Sequence, residues 1–68
     1  MYKAIIRFAR HSNVYYLPTF DRAVAKINGE YSAVDFKAGE ISKSDSADMG
    51  AVYTPLCKIE AGSSWCEA

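Results

Sequence analysis

The chain has a single histidine, His11, and only two cysteines, Cys57 and Cys66. His11 lies in the polar stretch His11-Ser12-Asn13, where serine and asparagine are explained by turn chemistry, so no nucleophile–base pair is read there. Zinc needs four ligands, and Cys57, Cys66 and His11 supply three without close pairing. Two cysteines are also too few for a disulfide-stapled secreted scaffold. Gly29, Gly39, Gly50 and Gly62 are scattered and build no phosphate-cradling loop. No apolar run approaches the ~18 residues of a membrane span. Arg7 interrupts the opening segment too early for the apolar core of a signal peptide. The expectation is one cytoplasmic domain over residues 1–68, non-enzymatic, with no metal, no cofactor and no membrane partner.

Net charge is lacking too: eight cationic and eight anionic residues cancel, so no overall field draws the chain to nucleic acid or to anionic lipid. The cancellation is uneven along the sequence. Met1 to Gly29 holds Lys3, Arg7, Arg10, Arg22 and Lys26 against Asp21 alone. Glu30 to Ala68 holds Glu30, Asp35, Glu40, Asp45, Asp48, Glu60 and Glu67 against Lys37, Lys43 and Lys58. Interleaving of the two halves in one sheet would pair these charges.

What is present is hydrophobic patterning. Half of the residues are hydrophobic, which rules out a disordered tail. Tyr2, Ala4, Ile6 and Phe8 alternate with Lys3, Ile5, Arg7 and Ala9, the signature of a half-buried strand. A two-residue turn at Ser12-Asn13 would place Leu17 opposite Phe8 and keep both on one face. Thr19 is positioned to cap a helix over Phe20 to Asn28, whose apolar stripe is Phe20, Ala23, Val24 and Ile27, with Gly29 as a left-handed stop. Tyr31 to Lys37 reads as a third strand and Lys37-Ala38-Gly39-Glu40 as a turn. Ile41 could briefly extend a strand before the polar loop Ser42 to Asp48. Ala51 to Glu60 reads as a long strand interrupted at Pro55, and Ser64 to Glu67 as a last short one. The expected fold is therefore α+β: an antiparallel sheet of four to five strands, in the order β-β-α-β-β-β, with a single helix packed on one face.

Two local readings bear on chemistry. If Asp45 opened a calcium loop, its third, fifth and twelfth positions would be Ala47, Met49 and Leu56, which cannot coordinate the ion as such loops require. For the cysteines, a two-residue turn at Ala61-Gly62 would set Cys57 opposite Cys66, open to a disulfide. A three-residue loop with Gly62 at the bulge would pair Cys57 with Trp65 instead. The second register gathers Cys57, Ile59 and Trp65 on one face and favours two free thiols.

One helix covers one face of such a sheet. The other face, by this alternation, carries Ile5, Arg7, Val14 and Tyr16, with Tyr53 or Trp65 as the only large side chains placed to fold across it. Aromatics and arginine on an exposed face have the composition of a protein-binding site, with Asp45 and Asp48 in the acidic loop as its rim. The mixture of Arg7, Arg10 and Tyr16 also suits single-stranded nucleic acid. A pI near 6.5 and the absence of a recognition motif leave direct nucleic-acid binding as the lesser reading.

By size, by its strand–strand–helix–strand order and by its lack of a catalytic set, the chain resembles small phage-encoded host-takeover inhibitors, among them type I anti-CRISPR proteins and short inhibitors of bacterial RNA polymerase. The likeness is one of architecture along the whole chain, with no residue motif, so no functional residue is carried over. It implies stoichiometric binding to a host protein or ribonucleoprotein complex in the bacterial cytoplasm and occlusion of its working surface. Many such inhibitors are strongly acidic mimics of nucleic acid. This chain is neutral, which confines any mimicry to Asp35, Glu40, Asp45 and Asp48. A housekeeping interaction module or small subunit is the alternative.

Overall fold

The computed structural model describes residues 1–46, 48, 50–60 and 63–66, with residues 63–65 as backbone. The alternating segment at the start forms β1 (Tyr2–Phe8), and Ser12–Leu17 forms β2. They pair antiparallel from Tyr2↔Leu17 to Arg7↔Ser12. The chain reverses at Ala9-Arg10 rather than at Ser12-Asn13: the Phe8 amide donates to the His11 carbonyl at 2.8 Å, and the two rings stack at 4.6 Å. The Ala9 amide also donates to the Asp35 carbonyl, so a distant segment helps fix the turn. The expected register is thus displaced by six positions. Six is even, so every side chain keeps the face that the alternation assigned to it.

Thr19 caps α1 (Phe20–Glu30), its hydroxyl accepting the Arg22 amide at 3.2 Å. Asp21 in the first turn suits the dipole. The helix does not stop at Asn28. It continues through Gly29, whose position is open to solvent, and closes with the Tyr31 amide donating to the Asn28 carbonyl. Ala23 and Ile27 are fully buried against Ala4, Ile6, Ile41 and Cys57, and Phe20 and Val24 pack beside them. That is the docking the stripe predicts.

The third strand lies later than the sequence suggests. β3 is Phe36–Lys43, and Tyr31 to Asp35 form the turns leading into it. Gly39 is no turn residue. It sits in mid-strand beneath the helix, where a Cβ would come within 2.7 Å of Ile27 Cγ2. Glycine is there because the helix approaches the backbone too closely for any side chain.

β4 (Thr54–Glu60) pairs with β3, its register shifting between Ile41 and Ser42 next to Pro55. It is shorter than the sequence reading, which began it at Ala51. β5 (Ser63–Cys66) pairs with β4 from Glu60↔Ser63 to Cys57↔Cys66, and the sheet order is β2-β1-β3-β4-β5, all antiparallel. This register corrects the free-thiol expectation. Only residues 61 and 62 separate the last pair, so Cys57 faces Cys66 and the two form a disulfide, while Trp65 falls opposite Lys58. The Ala61-Gly62 turn itself and the Trp65 side chain lie outside the described residues.

Candidate functional site

The face of the sheet opposite α1 is built by β1 and its two neighbours. Ile5 pairs with Val14 on one side and Glu40 on the other; Lys3 pairs with Tyr16, and Arg7 with Ser12 and Ala38. The four sheet residues expected on this face are therefore brought together. Val14 is 48% exposed, and Ile5 is half-buried between its neighbours. Around this apolar pair run charges. Arg7 reaches diagonally to Glu40 at 3.4 Å, Glu40 stands opposite Lys58 in the sheet, and Lys58 meets Glu60 at 3.2 Å. Arg7 and Glu40 come from the cationic and anionic halves of the sequence, so the halves do interleave here. With both partners substantially exposed, such a pair contributes no more than about 1 kcal/mol and is free to exchange partners.

One end of this face is covered by the connection between β3 and β4. Ser44, Ser46 and Asp48 each accept the backbone amide two residues ahead, at 3.1, 3.1 and 2.9 Å, a succession of side-chain turns that gives the polar run a defined path. The path delivers Tyr53 onto the sheet. Its ring lies 6.0 Å from that of Tyr16, and Lys3 Nζ sits 4.8 Å from its centroid. The Tyr53 hydroxyl donates to the Asp48 carbonyl at 3.4 Å. Desolvation against the sheet raises the pKa of this phenol above its ordinary value, with Tyr16 and Asp48 adding to the shift.

The two loop aspartates have different surroundings. Asp48 spends its carboxylate on the Gly50 amide, near the Tyr53 end of the open face. Asp45 lines a separate recess of about 410 Å³ with Lys43, Ser44, Ser46, Val52, Thr54 and Leu56. Lys43 stands opposite Tyr2 and extends over its ring, and Leu56 packs on the core, which places that recess on the helix side. Sequence reasoning named Tyr53 only as a possible cover and missed the row Glu40, Lys58 and Glu60. The signal for the row was their common parity within β3 and β4, legible only once those strands were bounded.

Among the described residues no group of three His, Cys, Asp or Glu side chains could hold a metal ion, and no helix is long and apolar enough to cross a membrane. What the open face offers is contact: an apolar centre at Ile5 and Val14, exchangeable charges on one flank and two tyrosines on the other. No protein-family model, curated sequence or solved structure matches the chain.

Proposed function

We propose that this chain works by binding, not by catalysis, and that the face carrying Ile5, Arg7, Val14 and Tyr16 is where its partner docks. The observation that carries the reading is the pair of half-buried Ile5 and exposed Val14, flanked by Arg7–Glu40 and Tyr16–Tyr53 on the side of the sheet away from the helix. Apolar anchors with arginine and tyrosine around them are the composition that dominates binding energy at protein interfaces. The molecule measures 34 × 25 × 17 Å. Its broad face can thus contribute on the order of 800 Å², one side of a standard stable interface.

The partner class follows from the architectural resemblance to small phage-encoded inhibitors: a bacterial nucleoprotein machine, bound stoichiometrically and occluded. The exposed ion pairs support recognition of a charged protein surface, since each can release one member to a partner. The test is affinity capture from bacterial lysate, followed by titration of the purified captured complex with wild type, Arg7→Glu and Tyr16→Ala. Each variant should retain its circular dichroism spectrum and lose at least ~1–2 kcal/mol of binding. Folded variants that bind like wild type would remove the open-face site. Turnover of a substrate, or tight binding of an oligonucleotide by the protein alone, would remove the inhibitor reading.

A further inference from the structure

The two edges of the sheet are unlike. β5 is four residues long and tied to β4 by the disulfide. β2 is six residues, Ser12-Asn13-Val14-Tyr15-Tyr16-Leu17, with no charge, no proline and no bulge, and no strand lies beyond it among the described residues. Edge strands of monomeric proteins are usually blunted by one of those devices. β2 has none of them.

Its outward groups can be assigned. Phe8 and His11 form a hydrogen-bonded pair, and bonded and non-bonded pairs alternate along an antiparallel ladder. Asn13, Tyr15 and Leu17 therefore bond to β1, whereas Ser12, Val14 and Tyr16 direct their amides and carbonyls out of the sheet. These are three donors and three acceptors in a row. We propose that they pair with the same strand of a second copy, antiparallel, about a two-fold axis at Val14.

Symmetry and chemistry select that centre. A two-fold relating antiparallel edge strands must stand perpendicular to the sheet, so a residue faces its own counterpart at the centre and both helices fall on one side. Centred on Val14, Val14 meets Val14 of the second copy and Ser12 meets Tyr16, and every outward group is matched. Centred on Tyr15, Ser12 would face Pro18, which has no amide hydrogen to donate. Centred on Asn13, Tyr16 would face Arg10 in the reversing turn. The chosen register brings the two exposed Val14 side chains together and sets no charged residue of β2 against another. It joins the two open faces into one, with Ile5, Val14, Val14 and Ile5 running across the seam. The proposal stands independently of the partner reading, because it concerns the edge of β2 and not the face.

The experiment is sedimentation equilibrium with amide hydrogen exchange, over a range of protein concentrations. Wild type should move from 7.5 kDa toward twice that mass as concentration rises. The Ser12, Val14 and Tyr16 amides should slow by roughly tenfold or more over the same range, while Asn13, Tyr15 and Leu17 stay protected throughout. Val14→Lys should remain folded by circular dichroism and monomeric. A single 7.5 kDa species at every concentration overturns the proposal, as does a dimer that leaves those three amides unprotected or survives Val14→Lys. Protection that arises only on adding a different protein overturns it as well, making the edge a site for that protein.

Discussion

Neighbouring residues of β1 live in opposite environments. Ala4 and Ile6 are fully buried under α1, while Ile5 is only half-buried and Arg7 is exposed, although all four share one strand and similar backbone geometry. The difference comes from the covering layer. One helix supplies Ala23 and Ile27 to one face, whereas among the described residues the other receives Tyr53 from a loop. The fully buried apolar side chains of the described residues are therefore gathered on the helix side of the sheet.

Three measurements would break or sharpen this contrast. The largest effect belongs to Ile27, which fills the space between helix and sheet: Ile27→Ala should cost ~2–5 kcal/mol, a large fraction of the stability of so small a domain. Chemical denaturation showing a loss below about 0.5 kcal/mol would mean that the covered face is not where stability resides. Next is Gly39→Ala, where the added methyl meets Ile27 at the closest approach of the two layers. Its expected cost is about 1–3 kcal/mol, and combined with Ile27→Ala, which removes all three atoms the methyl would meet, it should cost less than the sum of the two single changes. Strict additivity would show that the layers do not touch there.

The smallest effect belongs to the open face. The Tyr53 phenol has a folded pKa above its ordinary value, so the folded state holds its proton more tightly than the unfolded chain. The stability linked to it is complete below the unfolded pKa of about 10 and is lost as pH rises through the folded value. Tyr53→Phe should abolish that alkaline loss. In a difference absorbance titration of wild type against Tyr53→Phe, the missing phenol should ionise above the ordinary tyrosine value. Ionisation at or below that value would detach Tyr53 from the sheet.

Faces proved more legible in the sequence than registers. The helix could be read because Thr19 and the stripe Phe20, Ala23, Val24 and Ile27 act locally, and the shared side of Ile5, Arg7, Val14 and Tyr16 because alternation survives an even displacement. The antiparallel sheet with one helix on a single face, an α+β fold, follows from those two patterns. The β1–β2 register was not legible, since Ser12-Asn13 has better turn chemistry than Ala9-Arg10. The choice is made by Phe8 stacking on His11 and by the distant Asp35 carbonyl. Gly39 misled in the same way, because tertiary approach and turn formation demand the same residue. The cysteine pairing hung on one residue of loop length. At the candidate site, Asp45 and Asp48 looked like one acidic patch. They separate because side-chain turns at Ser44, Ser46 and Asp48 give the loop a path that adjacency in sequence does not reveal.

β1 is held on both sides, by β2 within a local hairpin and by β3 only after the helix has been made. On the ribosome these two partners emerge at different times. β2 follows β1 almost at once, whereas β3 comes some thirty residues later, a delay on the order of seconds at ~5–20 residues per second. Throughout that delay the β1 edge destined for β3 is open, and Ala4 and Ile6 lack part of their cover. The stretch that precedes β3, Met1 to Asp35, carries five cationic side chains and three anionic ones. A small net positive charge disfavours close association of such half-made chains, by an amount that salt screens beyond ~8 Å. β3 then brings Glu40, which meets Arg7 across the newly closed pair. With β3 complete, Met1 to Lys43 still holds seven cationic side chains against four anionic ones, so the closing of this edge is marked by a local pairing of Arg7 with Glu40 and not by net neutrality.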